Sequence, residues 1–257
     1  MNAKPALAGD DLFTVMAIAV LAACTSDVAH EAFGHGSACL LSGRRITLLN
    51  CAFFHCSGSG RYTAVAGPLG NLSAGLAAFA AQGCISPRRP GLRLYALLLM
   101  AFSLFWEAGY LIQAMIKDRG DSVFAYRDLI GTENLPVRAA AVVIGVLAYF
   151  LFIHMLRLRA AVFSNAPGRL TSLLRVSWAT GIGAMVLAGS LYAPDRFGAA
   201  HDAGLSIVAS VPLWFVGASA RPMSEPAAPI VRSSWIIAVA LAVFVTFALT
   251  MGRGLTF

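Results

Sequence analysis

Apolar residues in this chain come in long, nearly unbroken runs, with few of the alternating polar positions that mark a soluble helix or a half-buried strand. About 20 apolar residues is the length that crosses bilayer hydrocarbon as a helix. Such runs occupy residues 12–41, 62–84, 92–116, 137–158, 172–192, 204–218 and 234–251, and glycine, proline or charged residues close each one. The sixth is the shortest. The pattern predicts an all-α fold, a polytopic transmembrane helical bundle of about six or seven spans. Residues 46–56 are apolar but β-leaning, and too short to span as a helix. They predict a short re-entrant β-hairpin after the first span, tolerated at membrane depth only where protein or a water cavity covers its backbone. Flexible breaks are expected at Ser57-Gly58-Ser59-Gly60 and Asn165-Ala166-Pro167-Gly168, and in a proline-rich linker over residues 221–229.

Composition agrees. Of 257 residues 58% are hydrophobic and 12% charged, with a mean hydropathy of +0.74; a soluble domain carries about 25% charged residues. The expected location is integral in a membrane, the bacterial inner (plasma) membrane on this reading. No cleavable leader is expected, since Asp10 and Asp11 follow Lys4 before the first apolar run. The net charge of +7 points to anionic membrane lipid as a partner and to no nucleic acid. Cations divide almost evenly between the two faces, Lys4, Arg88, Arg89 and Arg221 among those on the N-terminal side. Acidic residues gather opposite, a slight lean to a cytoplasmic N-terminus. Of five cysteines, Cys51 and Cys56 in the first loop are the pair expected as a disulfide or as metal ligands; the others read as small buried hydrophobes.

Against this background one stretch is out of place. Asp27-Val28-Ala29-His30-Glu31-Ala32-Phe33-Gly34-His35 puts two imidazoles and two carboxylates near the end of the first span. Ionisable groups at that depth are costly, which makes them a functional-site hypothesis by default. The spacing is close to H-E-x-x-H, in which two histidines one turn apart bind zinc and the glutamate works on a water. Here it is H-E-x-x-x-H, one residue longer. On a regular helix the two imidazoles would point about 140° apart, against about 40° for an i, i+4 pair. Two arrangements would repair this. A π-bulge absorbs one residue and aligns i with i+5, with Gly34 the easiest place to deform. Alternatively Glu31 and His35 are the helix ligands and His30 stands behind them.

Three protein ligands and an open position are the usual catalytic zinc arrangement. Asp121 is the first candidate for the third ligand and Glu107 the second. Asp27 would accept from a ligand imidazole. Each has a plainer alternative: a buried hydrogen-bonded bridge for Asp27 and the histidines, an ion pair for Glu107, a solvated loop acid for Asp121. His154 reads as packed or interfacial, His201 as a loop histidine, and His55 as a lesser metal candidate.

Three stretches together resemble the site-2 protease type of intramembrane zinc metalloprotease: the His30–Gly36 motif followed by Arg44-Arg45-Ile46-Thr47-Leu48, then Ala66-Gly67-Pro68-Leu69-Gly70-Asn71, and Gly109 through Asp121. The likeness covers residues 12–125, a three-span metalloprotease-like core, and leaves 126–257 as additional transmembrane helices. It implies Zn(2+) on His30, His35 and Asp121, Glu31 as catalytic base, and Asn71 as a contact to substrate backbone or the active-site strand. The substrate would be a membrane protein, cut within or beside a membrane segment. The longer histidine spacing and Ser122 after Asp121 depart from the family pattern. Rival expectations are a non-catalytic metal-binding relative, a haem protein pairing His30 or His35 with His154, and a proton-coupled membrane protein using Asp27, Glu31 and Glu107.

Overall fold

The computed structural model describes residues 9–58, 62–131, 134–164, 168–217 and 227–257. Lys4, Ser59, Gly60, Asn165 to Pro167 and Arg221 lie outside them. Among the described residues, seven helical segments are long and apolar enough to cross a membrane. The first, Leu12–Leu41, is one rod of three parts: α1 (Leu12–Val28), a π-helical segment (Ala29–Gly36) and α2 (Ser37–Leu41). Then come β1 (Ile46–Leu49), β2 (Phe54–Cys56), α3 (Thr63–Cys84), α4 (Pro90–Lys117) and a short α5 (Asp121–Ile130). The later spans are α6 (Leu135–Ala160), α7 (Arg169–Gly189), the pair α8 (Arg196–Val208) and α9 (Pro212–Val216), and α10 (Ser234–Phe247). A second π segment, Ala248–Gly252, extends α10 and leads to β3 (Leu255–Thr256).

Local chemistry sets the ends. Asp11 caps α1 by accepting from Thr14 N at 2.8 Å, and Asp195 does the same for α8 from Gly198 N. Pro90, which has no N–H to satisfy, begins α4; Asp118, left-handed at φ 58°, ends it. The sixth span begins earlier than its hydropathy predicts, because Arg196 and Asp202 fall on its exposed face.

The inner helices are α1 and α4, the latter buried almost continuously from Leu94 to Ala108. Around them α3, α6, α7 and α10 turn apolar side chains outward, including Leu69, Leu147, Phe150, Leu187 and Leu241. In lipid such side chains gain nothing by hiding from water, so close van der Waals packing and polar contacts must hold the helices together. At the N-terminal end of α1 a buried clamp does this. Arg169 donates to both oxygens of Asp10 at 2.7 and 2.8 Å and to Ala227 O at 2.8 Å, while Asp10 also accepts from Ile230 N at 2.7 Å. The clamp ties the chain before α1 to the start of α7 and the approach to α10.

The hairpin is present at the opposite end. β1 pairs antiparallel with β2 (Leu49 opposite Phe54) and, on its other edge, with β3 (Leu49 opposite Leu255), giving the order β2-β1-β3. The third strand comes from the far end of the chain, fastened by Asn50 Nδ2 donating to Met251 O at 2.9 Å. The disulfide differs from expectation: Cys56 is bonded to Cys39, and Cys51 is a free, buried thiol. The spacing of Cys51 and Cys56 had suggested a local pair, but Cys39 on α2 lies over β2 and Cys51 points inward.

Candidate metal centre

The π segment coincides with the motif. Its wider turns let residues five apart share a face, so His30, Glu31 and His35 are all buried on the inner side while Phe33 stays 72% exposed on the outer. The imidazole centroids are 4.9 Å apart, edge to face. Close helix crossing makes room for them. A Cβ on Gly34 would lie 2.5 Å from Gly67 Cα, and one on Gly67 would lie 2.3 Å from His35 Nε2. Gly67, in the Gly67-Pro68-Leu69-Gly70-Asn71 stretch of α3, therefore sits against the imidazoles with backbone only.

Hydrogen bonds fix each ring. His35 Nδ1 lies 2.7 Å from Thr63 O; a carbonyl can only accept, so Nδ1 carries the proton. His30 Nδ1 donates to Glu107 Oε1 at 2.9 Å. Trp106 stacks on His30 with centroids 4.4 Å apart, and Phe54 of β2 on His35 at 5.3 Å. Both Nε2 atoms face the same carboxylate oxygen, Asp121 Oδ2, at 3.2 Å from His30 and 3.3 Å from His35.

Asp121 reaches them because the chain reverses after α4. Gly120, at φ 104°, takes a backbone conformation open to glycine, and Asp121 begins α5 with its N–H on Tyr110 Oη at 3.3 Å. With no cation between them, protonated His30 and His35 outweigh the opposing effect of burial and hold the Asp121 carboxyl well below the ordinary range.

Three ligand atoms, one each from His30, His35 and Asp121, lie within 4.8 Å of one another and could hold a metal ion. The donor set fits: with Nδ1 protonated on both rings, two Nε2 lone pairs and a carboxylate oxygen converge and need a proton or a cation between them. Of the two arrangements the spacing allowed, the π segment is the one present; Glu31 is outside the ligand group. Glu107 is behind His30, on the ring nitrogen facing away from Asp121.

Glu31 lines a cavity of about 580 Å³ beside the cluster, and its Oε2 takes no hydrogen bond from the described residues. Asp27 is fully buried, and neither carboxylate oxygen is hydrogen-bonded among the described residues; the imidazole contact expected of it is made by Glu107. Asn71 is fully buried and outside the cavity wall. Its amide accepts from Ser26 Oγ at 3.1 Å and donates to Glu107 Oε1 at 2.9 Å. Ser103 extends this chain to Ser26 at 3.1 Å, so a buried relay of polar groups orients Glu107 and through it His30.

His55 lines the cavity, His154 is exposed on α6 away from it, and His201 bonds Asp202 at 2.8 Å. Cys51 also reaches the cavity, but burial, with Asp27 and Glu31 nearby, pushes its thiol up and keeps it protonated. Trp106, Phe54, Thr63 and Ser26 were not anticipated. Trp106, adjacent to Glu107 in mid-span, carried the only advance signal. The remaining walls come from α6 and α8, through Tyr149, Leu205, Ser206 and Ala209, so the cavity draws on both sides of residue 125. Comparisons with known protein families, with curated proteins and with solved structures find no match for this chain.

Proposed function

We propose that this protein is a membrane-embedded metallopeptidase in which His30, His35 and Asp121 hold a zinc ion and Glu31 is the catalytic base. The bond it hydrolyses would be a peptide bond within or beside a membrane segment of another protein. One observation carries the reading: two Nε2 atoms and a carboxylate oxygen converge within 4.8 Å, with Glu31 beside them on the wall of a cavity. Two imidazoles and one carboxylate form a known catalytic zinc set. The three stretches that resemble site-2 proteases meet at this point, which supports the likeness, as does Gly67 lying directly on the imidazoles.

When bound, the metal would supply Lewis-acid activation of water and of the scissile carbonyl. The chain's own groups do the rest. Glu31 takes a proton from the attacking water and delivers it to the leaving nitrogen as the C–N bond breaks, leaving the water oxygen on the carbonyl carbon. Glu107 and Thr63 O hold the two Nδ1 protons, so both Nε2 lone pairs stay aimed at the ligand position. Trp106 and Phe54 prevent the rings from tilting.

The test is metal content followed by cleavage. Purified protein should carry one zinc per chain, and His35→Ala and Asp121→Ala should each lose it while keeping the helical spectrum. Glu31→Gln should keep zinc and lose cleavage of a model membrane substrate. A metal-free wild type with intact fold refutes the site. Zinc without any cleavage would make the chain a non-catalytic metal-binding relative.

A further inference from the structure

Two cations border the same cavity and nothing in the proposed hydrolysis uses them. Lys117, the last residue of α4, and Arg119, in the turn before Asp121, both line the cavity and are both exposed, which places them at its solvent opening. Neither takes an ion pair among the described residues.

The acid between them is committed elsewhere. Asp118 is the only non-glycine residue with positive φ among the described residues, and that conformation turns its carboxylate out of line with its neighbours. Its oxygens take Arg127 Nη2 at 2.9 Å and Arg138 Nη1 at 3.1 Å, neither of which lines the cavity. Asp202, an acid of α8 on the cavity wall, is bonded to His201 Nδ1 at 2.8 Å. Lys117 and Arg119 are thus left as uncompensated charge at the entrance, with apolar and aromatic wall, Phe53, Phe124, Leu205 and Val208, on the way in.

We propose that Lys117 and Arg119 form an anion subsite that receives a carboxylate of the substrate. This rests on the peptidase reading and names what kind of peptide the site takes. Carboxylate is the anion a peptide offers, either as its C-terminus or as an Asp or Glu side chain. Arg119 is two residues from Asp121, at most about 7 Å of backbone. An extended peptide covers about 3.4 Å per residue. The bound carboxylate therefore lies within a few residues of the bond to be cut, and the site is suited to trimming an apolar peptide close to an anionic end. An endopeptidase cutting in the middle of a span would have no use for two charges there.

The test is binding, which does not depend on turnover. Full-length Glu31→Gln protein in detergent would be titrated with one apolar peptide in three forms: free C-terminus, amidated, and amidated with a glutamate among its last three residues. The free acid should bind at least about tenfold more tightly than the amide, the scale of a charge-assisted contact. The difference should vanish in Lys117→Gln/Arg119→Gln, whose exposed positions leave the fold intact by thermal melting. Glutamate restoring the amide assigns the subsite to an acidic side chain; failure to restore assigns it to the C-terminus. A preference that survives the double substitution overturns the proposal. So does equal binding of acid and amide, and if affinity then follows the phosphatidylglycerol content of nanodiscs, the cations belong to lipid headgroups. Binding discrimination in a protein that holds no zinc would retain the subsite and refute the peptidase reading, so the two fail separately.

Discussion

Glu107 exerts its effect on the metal position through another residue. Its Oε1 receives His30 Nδ1 and Asn71 Nδ2, both at 2.9 Å, and the whole carboxylate is buried at 6% exposure. Loss of such a partner costs a metal site about 10- to 100-fold in affinity. Glu107→Ala should weaken zinc binding by that factor in a chelator competition, and Asn71→Ala by less, since it leaves the carboxylate in place. Asp27→Asn should leave affinity unchanged, because no imidazole bonds Asp27; a loss in Asp27→Asn with none in Glu107→Ala would mean that Asp27, and not Glu107, orients the ring. At this scale the sequence revealed residue types better than partners. His30, Glu31 and His35 stood out because charge in an apolar run is rare. Asp27 was expected to serve a ligand imidazole because it lies on one stretch of chain with both histidines. That inference assumed a regular helix, whereas Asp27 lies in the last turn of the α-helical part and His30 in the first turn of the π-helical part. Glu107 reaches across from α4, a contact 77 positions away that no periodicity within one segment reveals.

Elements bring the three ligands together by close approach, and glycine is what allows it. Gly67 and Gly120 act by different physics, so alanine at each should fail differently. At Gly67 a Cβ would sit 2.3 Å from His35 Nε2 and 2.8 Å from His30 Nε2, on the ligand atoms themselves. At Gly120 it would meet Tyr110 Oη at 2.5 Å and require φ 104° of an alanine, displacing only Asp121. Gly67→Ala should abolish zinc binding at any accessible concentration. Gly120→Ala should retain a weakened two-histidine site, visible as a cobalt spectrum with altered coordination on substitution. Identical spectra for Gly120→Ala and wild type would show that Asp121 is not held by this turn. The seven spans and the hairpin were legible because apolar run length and β-branched content determine them. The third strand was not: two residues after a span carry no pattern, and Leu255–Thr256 is a strand only because β1 offers it an edge. The cysteine pairing was misread for the same reason, since only the folded chain sets Cys39 over Cys56.

At the scale of the whole molecule the open matter is which face of the membrane the centre serves. Seven spans put Leu12 and Gly252 at opposite faces, with the hairpin, the cavity and β3 on the second. Cations do not decide: Arg88, Arg89, Arg157 and Arg159 on one face are balanced by Arg44, Arg45, Lys117 and Arg119 on the other, and the extra acids of the cavity face carry little weight. The disulfide is a sharper criterion. Cys39–Cys56 lies on the cavity face, and disulfides persist in oxidising compartments and are rare where glutathione and thioredoxin keep thiols reduced. The bond also closes the turn that presents Phe54 to His35. From the disulfide we predict a centre on the non-cytoplasmic side, with α1 entering from the cytoplasm. Alkaline phosphatase fused after Phe257 should then be active, and green fluorescent protein at the same position dark. In intact cells an impermeant maleimide should label Cys39 and Cys56 only after an impermeant reductant is added. A fluorescent C-terminal fusion with these cysteines free would place the centre in the cytoplasm and require the hairpin to hold its position without the bond.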